Sequence, residues 1–273
     1  MNPLALVVVG ILALGIGIGG KQIACAQQAQ DPRVADLIQS GKLRVGVGLG
    51  TPLAVKNPTT GELCGPTLDL GRALAARIGI DVVVIEYPRP GAVIEGAGSN
   101  AWDVAFLVID ANRAKQADFS RPYLQTDSTY LVPAGSSIQN VADADQPGIR
   151  IAVPRGDGSD LELTRVLKRA ELVRTDTIAA ALELVRVGSA HARGGPRPVL
   201  LAESINLPGS RVLDDGFAVI FYAALVPKGA AGRLAYINEL IDEAKATGLV
   251  KRIIESAGLR GVQVAPVSKS GTQ

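Results

Sequence analysis

The sequence predicts an α/β protein built from two sets of alternating strands and helices. From Leu43 onward, short apolar runs alternate with amphipathic segments, which is typical of strands that pack against helices. A turn-rich stretch at residues 133–137 separates one set from the next, and the chain closes with a helical tail. Hydrophobic residues make up 47% of the 273 residues and charged residues 20%, which excludes a disordered chain.

An apolar run covers residues 4–20 and is followed by Ala24-Cys25-Ala26, a small-x-small cleavage pattern. We therefore expect residues 1–26 to be a signal peptide that is cut after Ala26, and the mature protein to be periplasmic. No Lys or Arg precedes the apolar run, so two alternatives stay open. One is lipidation at Cys25, and the other is a retained membrane anchor.

The first set contains three predicted strands and one predicted helix. The strands are expected at residues 43–47, 82–85 and 103–109. Pro66 suits a first helical position, and Leu70, Leu74 and Ile78 recur every four residues. Gly79 then ends the helix.

The second set begins with a strand and a helix whose start carries a capping signal. Ser159 and Glu162 have the spacing of a capping box, which predicts a helix that opens at Ser159. The other elements are predicted as a strand at residues 149–153, a helix at 178–187, a strand at 217–226, and tail helices on either side of Gly248.

Composition excludes several classes of function. A formal net charge of +2 and 4% aromatic residues do not make a nucleic-acid-binding surface. Two Cys and one His exclude a disulfide scaffold and make a metal site improbable on composition, so no cofactor is expected. We expect Cys64 to be buried and His191 to have a structural or surface role, since no nucleophile or acid is placed beside His191.

Two segments are candidates for ligand binding. Arg113 lies a few residues beyond the third strand, where open α/β sheets bind ligands, and its guanidinium can fork onto a carboxylate. The alternative for Arg113 is a surface ion pair with Asp110 or Asp118. The backbone N–H groups of Gly158, Ser159 and Asp160, at the start of a helix, favour an anion site.

Several blocks together resemble the family 3 extracellular solute-binding proteins, the periplasmic amino-acid-binding components of ABC transporters. Residues 113–123 resemble the pattern R-x-K-x-x-D-F-S-x-P-Y, which is the most specific block. Residues 65–75 resemble the family's G-F-D-V-D-L-x-x-A-L-A helix, and residues 41–47 resemble its opening strand. The resemblance runs from about Gly41 to Gly261.

The resemblance implies a two-lobed periplasmic-binding-protein-like fold of type II, with the ligand cleft between the lobes. The expected parts are residues 31–132 plus 225–262 for lobe 1, residues 133–224 for lobe 2, and residues 263–273 for a flexible tail. Two hinge crossings are expected near residues 132–134 and 223–226.

The resemblance also implies site residues. Arg113 matches the arginine that holds the ligand's α-carboxylate, and we expect it to face an open, wet cleft. The other implied ligand-binding residues are Leu107 and Val108 at the end of the third strand, and Asp157, Gly158, Ser159 and Pro196 in the second lobe. Pro196 stands where the family has the acid that binds the ligand's amino group, unless the match is shifted by a single gap that brings Glu203 there. With Pro196 in that place, a buried ammonium group has no evident partner.

These observations predict a periplasmic protein, monomeric and without catalytic activity, that captures a small carboxylate-bearing solute. An amino acid or a related organic acid is expected, for delivery to an ABC transporter permease in the inner membrane. One alternative is an enzyme similar to cyclohexadienyl or arogenate dehydratases, with Asp157 or Glu203 as the acid. Another is a sensor or interaction module with a degenerate pocket, because Phe106 and Val108 replace hydroxyl residues.

Overall fold

The computed structural model describes residues 31–35, 37, 41–57 and 59–266. The predicted signal peptide lies outside these residues. The strands are β1 Lys42–Gly48, β2 Val55–Lys56, β3 Leu63–Cys64, β4 Asp81–Tyr87, β5 Val104–Val108, β6 Ala117–Val132, β7 Arg150–Pro154, β8 Glu171–Thr175, β9 Ala192–Pro196, β10 Arg211–Val212, β11 Ala218–Pro227 and β12 Val262–Val264. The α-helices are α1 Pro66–Ile78, α2 Gly158–Val166, α3 Ile178–Arg186, α4 Arg197–Glu203, α5 Ala231–Ala246 and α6 Leu249–Ser256.

One sheet runs through both halves of the molecule. Its strand order is β4-β1-β5-β11-β6-β9-β7-β8, with β10 and β12 also paired to β6. Parallel pairs lie at both ends, where β1 pairs with β4 and β5, and β7 pairs with β8 and β9. The long strands β6 and β11 pair antiparallel in the middle. The alternation of strands and helices along the sequence predicts such parallel units joined by helices.

The two largest hydrophobic clusters of the described residues define two lobes. The first lobe packs around a core that includes Leu74 and Ile241, and the second around a core that includes Ile151 and Leu213. We use "first lobe" and "second lobe" for the elements around these cores. The mixed α/β fold and the two-lobed architecture agree with the sequence prediction.

The crossings lie earlier on both strands than the sequence predicts. On β6, Leu124 packs in the first core and Tyr130 in the second. Next to β11, Phe217 packs against the second core, whereas Ile220 and Tyr222 belong to the first. The chain therefore changes lobes near residues 125–129 and 217–220 rather than near 132–134 and 223–226. On β6 the change falls within residues 125–129, which are all polar, whereas residues 217–220 are apolar and give no sign of it in the sequence.

Local signals place one helix correctly and the N-cap of another two residues too late. Helix α1 begins at Pro66 and ends at Ile78, and Gly79 adopts the left-handed conformation after it, as predicted. The capping box at Ser159 is wrong. Helix α2 begins at Gly158 with Asp157 as the N-cap, and the Asp157 side chain accepts no hydrogen bond from its own helix.

The C-terminal segment differs from the predicted flexible tail over residues 263–266. Strand β12 pairs with β6, and the buried Ala265 donates its N–H to the carbonyl of Tyr123. Residues 267–273 lie outside the described part. Within the described ranges, no helix is both long and apolar enough to cross a membrane.

Candidate ligand-binding site

A largely enclosed cavity of about 50 Å³ lies between the two lobes. Its lining is mostly apolar, with a few polar groups that converge on one space. The apolar and glycine residues are Gly48, Leu53, Pro90, Phe106, Leu107, Val108, Gly158, Ile178, Pro196 and Val199. The polar residues are Thr51, Thr67, Arg113, Asp157, Arg193 and Tyr222. An apolar cleft with few convergent polar groups is the usual form of a small-molecule site.

Arg113 connects the two lobes across this cavity. Its side chain is only 3% exposed, so neither the surface ion pair nor the open, wet cleft agrees with the structure. One Nη donates to the Val108 carbonyl at 3.0 Å, and the other donates to the Gly156 carbonyl of the second lobe at 2.8 Å. Its Nε has no hydrogen-bond partner within the described residues. Burial lowers the pKa of the Arg113 guanidinium, while the carboxylates of Asp157 and Asp110 oppose that shift.

The acidic residues proposed as partners of Arg113 have other partners. Asp110 forms an ion pair with Arg165, and Asp118 forms one with Lys228 at 2.7 Å. The Asp110 carboxylate also accepts the backbone N–H groups of Asn112 and Arg113, which fixes the turn after β5. Arg113 is therefore held in place through its backbone and is directed into the cavity.

Asp157 places a carboxyl group in the cavity from the second lobe. Its Oδ1 accepts the N–H of Gly91, a first-lobe residue, at 2.8 Å. Burial raises the pKa of this carboxyl, and Arg113, the Gly91 N–H and Arg193 only partly offset that effect. A buried carboxyl beside arginines can accept hydrogen bonds when ionised and donate one when protonated.

The lobes approach closely at Gly158. A Cβ atom at this position would lie 3.2 Å from a methyl carbon of Val108 in the opposite lobe. The Asp110–Arg165 ion pair joins the lobes nearby, with Asp110 buried and Arg165 half-exposed. These contacts close the cavity on the side where β5 ends.

The structure brings together most of the residues proposed from sequence. Arg113, Leu107, Val108, Asp157, Gly158 and Pro196 all line the cavity. Ser159 does not line it; its hydroxyl is buried and lacks a hydrogen-bond partner within the described residues. Whether the lining residues contact a ligand stays a prediction.

Sequence analysis missed Arg193, Tyr222, Thr51 and Thr67. Arg193 lies on β9 within Ala-Arg-Gly-Gly, a stretch with no apolar alternation to mark a buried strand. Tyr222 lies within the apolar run of β11, where it passes for a core residue. Burial raises the pKa of the Tyr222 hydroxyl, and Asp157 raises it further. The one sequence signal that could have identified Tyr222 is its polar hydroxyl group within an apolar run.

Two other expectations have opposite outcomes. The Nδ1 of His191 accepts the backbone N–H of Arg150 at 2.9 Å, so this histidine joins β7 to the β9 region, in agreement with a structural role. Cys64 is exposed, so its predicted burial is wrong. It lies on β3, in the two-stranded sheet outside the main one. No group of three or more His, Cys, Asp or Glu residues within the described ranges could hold a metal ion.

Two α/β lobes joined by paired strands, with a small apolar cavity and an arginine between them, define a two-lobed solute-binding architecture. Residues 43–258 match the model of the bacterial extracellular solute-binding proteins, family 3, and the chain belongs to that family. The family is one of extracellular binding proteins, and related members are amino-acid-binding components of ABC transporters.

Named relatives include both binding proteins and an enzyme. The glutamine-binding protein of Geobacillus stearothermophilus is 27% identical over 183 residues, covering 65% of this chain and 70% of the relative. The cyclohexadienyl dehydratase of Pseudomonas aeruginosa is 30% identical over 243 residues, covering 84% and 87%. The solved solute receptor for L-cysteine of Neisseria gonorrhoeae has a TM-score of 0.77 at 20% identity, covering 85% of this chain and 99% of that one.

Proposed function

We propose that this protein encloses a small carboxylate-bearing solute between its lobes and delivers it to an ABC importer in the inner membrane. Arg113 is the observation that carries the proposal. It is a buried cation that lines the cavity, yet only two of its five N–H donors have partners within the described residues. A carboxylate in the cavity would satisfy the remaining donors and balance the charge.

The kind of solute follows from the rest of the lining. Apolar side chains such as Leu53, Phe106 and Val199 favour an aliphatic body next to the acid group. Thr51 and Thr67 add hydroxyl groups that can hydrogen-bond a polar substituent. An amino acid or a related organic acid has this combination of groups. The family's extracellular location supports a secreted, periplasmic protein, which is consistent with the apolar run at residues 4–20.

A thermal-shift screen of amino acids, keto acids and dicarboxylates tests the proposal. A ligand at a hundred times its Kd stabilises the folded state by about 2.7 kcal/mol, which raises the melting temperature of a chain of this size by roughly 5–10 °C. Mass spectrometry of small molecules that co-purify from the native periplasm provides an independent identification. A well-folded sample that no small acid stabilises would count against the proposal.

An enzyme is the second candidate, and Asp157 is the observation that favours it. Its buried carboxyl, with a raised pKa, is suited to donate a proton to a leaving hydroxyl group. The 30% identity to a cyclohexadienyl dehydratase supports the same reading. Incubation with prephenate or arogenate should then yield product in the wild type and none in Asp157→Asn. Absence of turnover in a sample that binds a carboxylate leaves the transport proposal as the function.

A further inference from the structure

A second arginine, Arg193, lines the cavity from the lobe opposite Arg113. It lies on β9 in the second lobe and is only 2% exposed, whereas Arg113 follows β5 in the first lobe. Both side chains line the same cavity of about 50 Å³. Two buried guanidinium groups thus face one small space from two sides.

Few groups of the protein satisfy Arg193. One Nη donates to the Gly194 carbonyl, and its Nε has no hydrogen-bond partner within the described residues. Of the five N–H donors of this arginine, one makes a hydrogen bond there, and the Nε lies only within ion-pair distance of Glu203. Buried polar groups are nearly always hydrogen-bonded, so this deficit calls for another acceptor.

Glu203 compensates the charge of Arg193 but not its hydrogen-bonding capacity. Its Oε2 lies 3.4 Å from the Arg193 Nε, and neither carboxylate oxygen makes a hydrogen bond within the described part of the chain. Glu203 is also absent from the cavity lining and faces a separate surface depression. An acceptor inside the cavity would therefore meet Arg193 on the side that Glu203 leaves open.

We propose that Arg193 is a second anion-binding residue, and that the solute is a compact dicarboxylate whose two acid groups meet Arg113 and Arg193. This inference rests on the proposed function and names its solute class. The cavity has a volume of about 50 Å³, whereas one water molecule needs roughly 10–15 Å³ of such a cavity. A solute that fits into this space must therefore be short. The apolar residues that line the same cavity suit a methylene chain.

Matched pairs of diacids and monoacids test this inference by calorimetry. The probes are succinate with butyrate and glutarate with pentanoate, and aspartate and glutamate show whether an amino group is accepted. The wild type should bind the better diacid at least about thirtyfold more tightly than its monoacid partner. This factor is the smallest effect expected for one charge contact in a site from which water is excluded. Equal affinities for diacid and monoacid would overturn the inference while leaving the carboxylate proposal intact. If none of these acids binds, the dicarboxylate inference fails, and the thermal-shift screen with other amino acids and keto acids then decides the proposed function.

Variants separate a ligand contact from a buried ion pair that only supports the fold. The double variant Arg193→Gln/Glu203→Gln removes both charges together, so no unpaired charge is buried. It should lose the preference for the diacid over its monoacid partner. The single variant Glu203→Gln keeps Arg193 and should keep the preference. A preference that persists in the double variant, or that disappears equally in Glu203→Gln, would contradict a direct role of Arg193.

Discussion

Replacement of Arg113 by Ala should weaken solute binding strongly. The side chain uses two N–H donors on the carbonyls of Val108 and Gly156, which leaves three donors for a solute carboxylate. Removing a charge-assisted contact in a closed cleft costs about 2–5 kcal/mol of binding. At about 1.4 kcal/mol per decade, affinity should fall roughly thirtyfold to several thousandfold.

The same substitution should also destabilise the protein without solute. The truncation leaves the Val108 and Gly156 carbonyls without the Arg113 donors, and an unsatisfied buried acceptor costs about 1–3 kcal/mol. Removal of a buried cation offsets part of that loss, as does entry of water into the cleft. We expect a net loss of about 1–3 kcal/mol, which is roughly 2–10 °C in melting temperature.

Calorimetry with an acid from the thermal-shift screen measures the first effect, and an unliganded melt measures the second. Arg186→Ala is the matched control, because Arg186 is an exposed second-lobe residue paired with Glu183. Arg113→Lys should recover only part of the affinity, since an ammonium group cannot fork onto a carboxylate. Unchanged affinity in Arg113→Ala would refute the carboxylate assignment, and full recovery in Arg113→Lys would refute the forked contact.

Three further predictions concern lobe closure, pH and processing. Gly158→Leu places a side chain against Val108 and should keep the lobes apart. With saturating solute, small-angle scattering should therefore show a larger radius of gyration for this variant than for the wild type. The control Gly98→Leu places its side chain in open space and should have the radius of gyration of the wild type. Burial alone would raise the pKa of the Asp110 carboxyl, but hydrogen bonds from Arg165 and two backbone N–H groups lower it overall. The stability that Asp110 contributes is therefore full above its unfolded pKa of about 3.9 and is lost as the pH falls through the lower folded value. In urea titrations at pH 7, Asp110→Asn should have a lower free energy of unfolding than the wild type, and this difference should shrink below about pH 4. A difference that does not change with pH would contradict a stabilising role of the ionised Asp110 carboxylate. Mass spectrometry of the secreted protein should find Gln27 at the N-terminus, whereas a lipidated Cys25 or an intact residue 1 would support the alternatives.

The bounds of an element can be predicted most accurately from sequence where interactions between neighbouring residues determine them. Helix α1 is set by a proline at its start, apolar residues every four positions and a glycine after its end, so its bounds follow from local rules. The start of α2 was misplaced because Asp157 and Ser159 are both good N-cap residues. Asp157 occupies the N-cap position although its side chain accepts the Gly91 N–H of the other lobe and not an N–H of its own helix.

Features that depend on contacts between distant segments were beyond sequence reasoning. Strand β6, with its 16 residues, was not predicted as a strand, because Pro122 and several polar side chains interrupt its pattern. The burial of Arg193 follows from packing of β9 between β6 and β7, and nothing near Arg193 in the sequence signals it. By contrast, the placement of Arg113 came from a family resemblance and from the rule that ligands bind beyond strand ends.

The crossing strands have a consequence for the order in which the parts of the chain fold. The core of the second lobe draws on one continuous stretch, from Tyr130 to Phe217, whereas the first core needs segments from both Leu43 and Ile254. Contacts between close segments form faster than those that close a long loop. A chain that emerges N-terminus first can therefore complete its second lobe before its first, and the N-terminal strands must wait for the last helices to arrive.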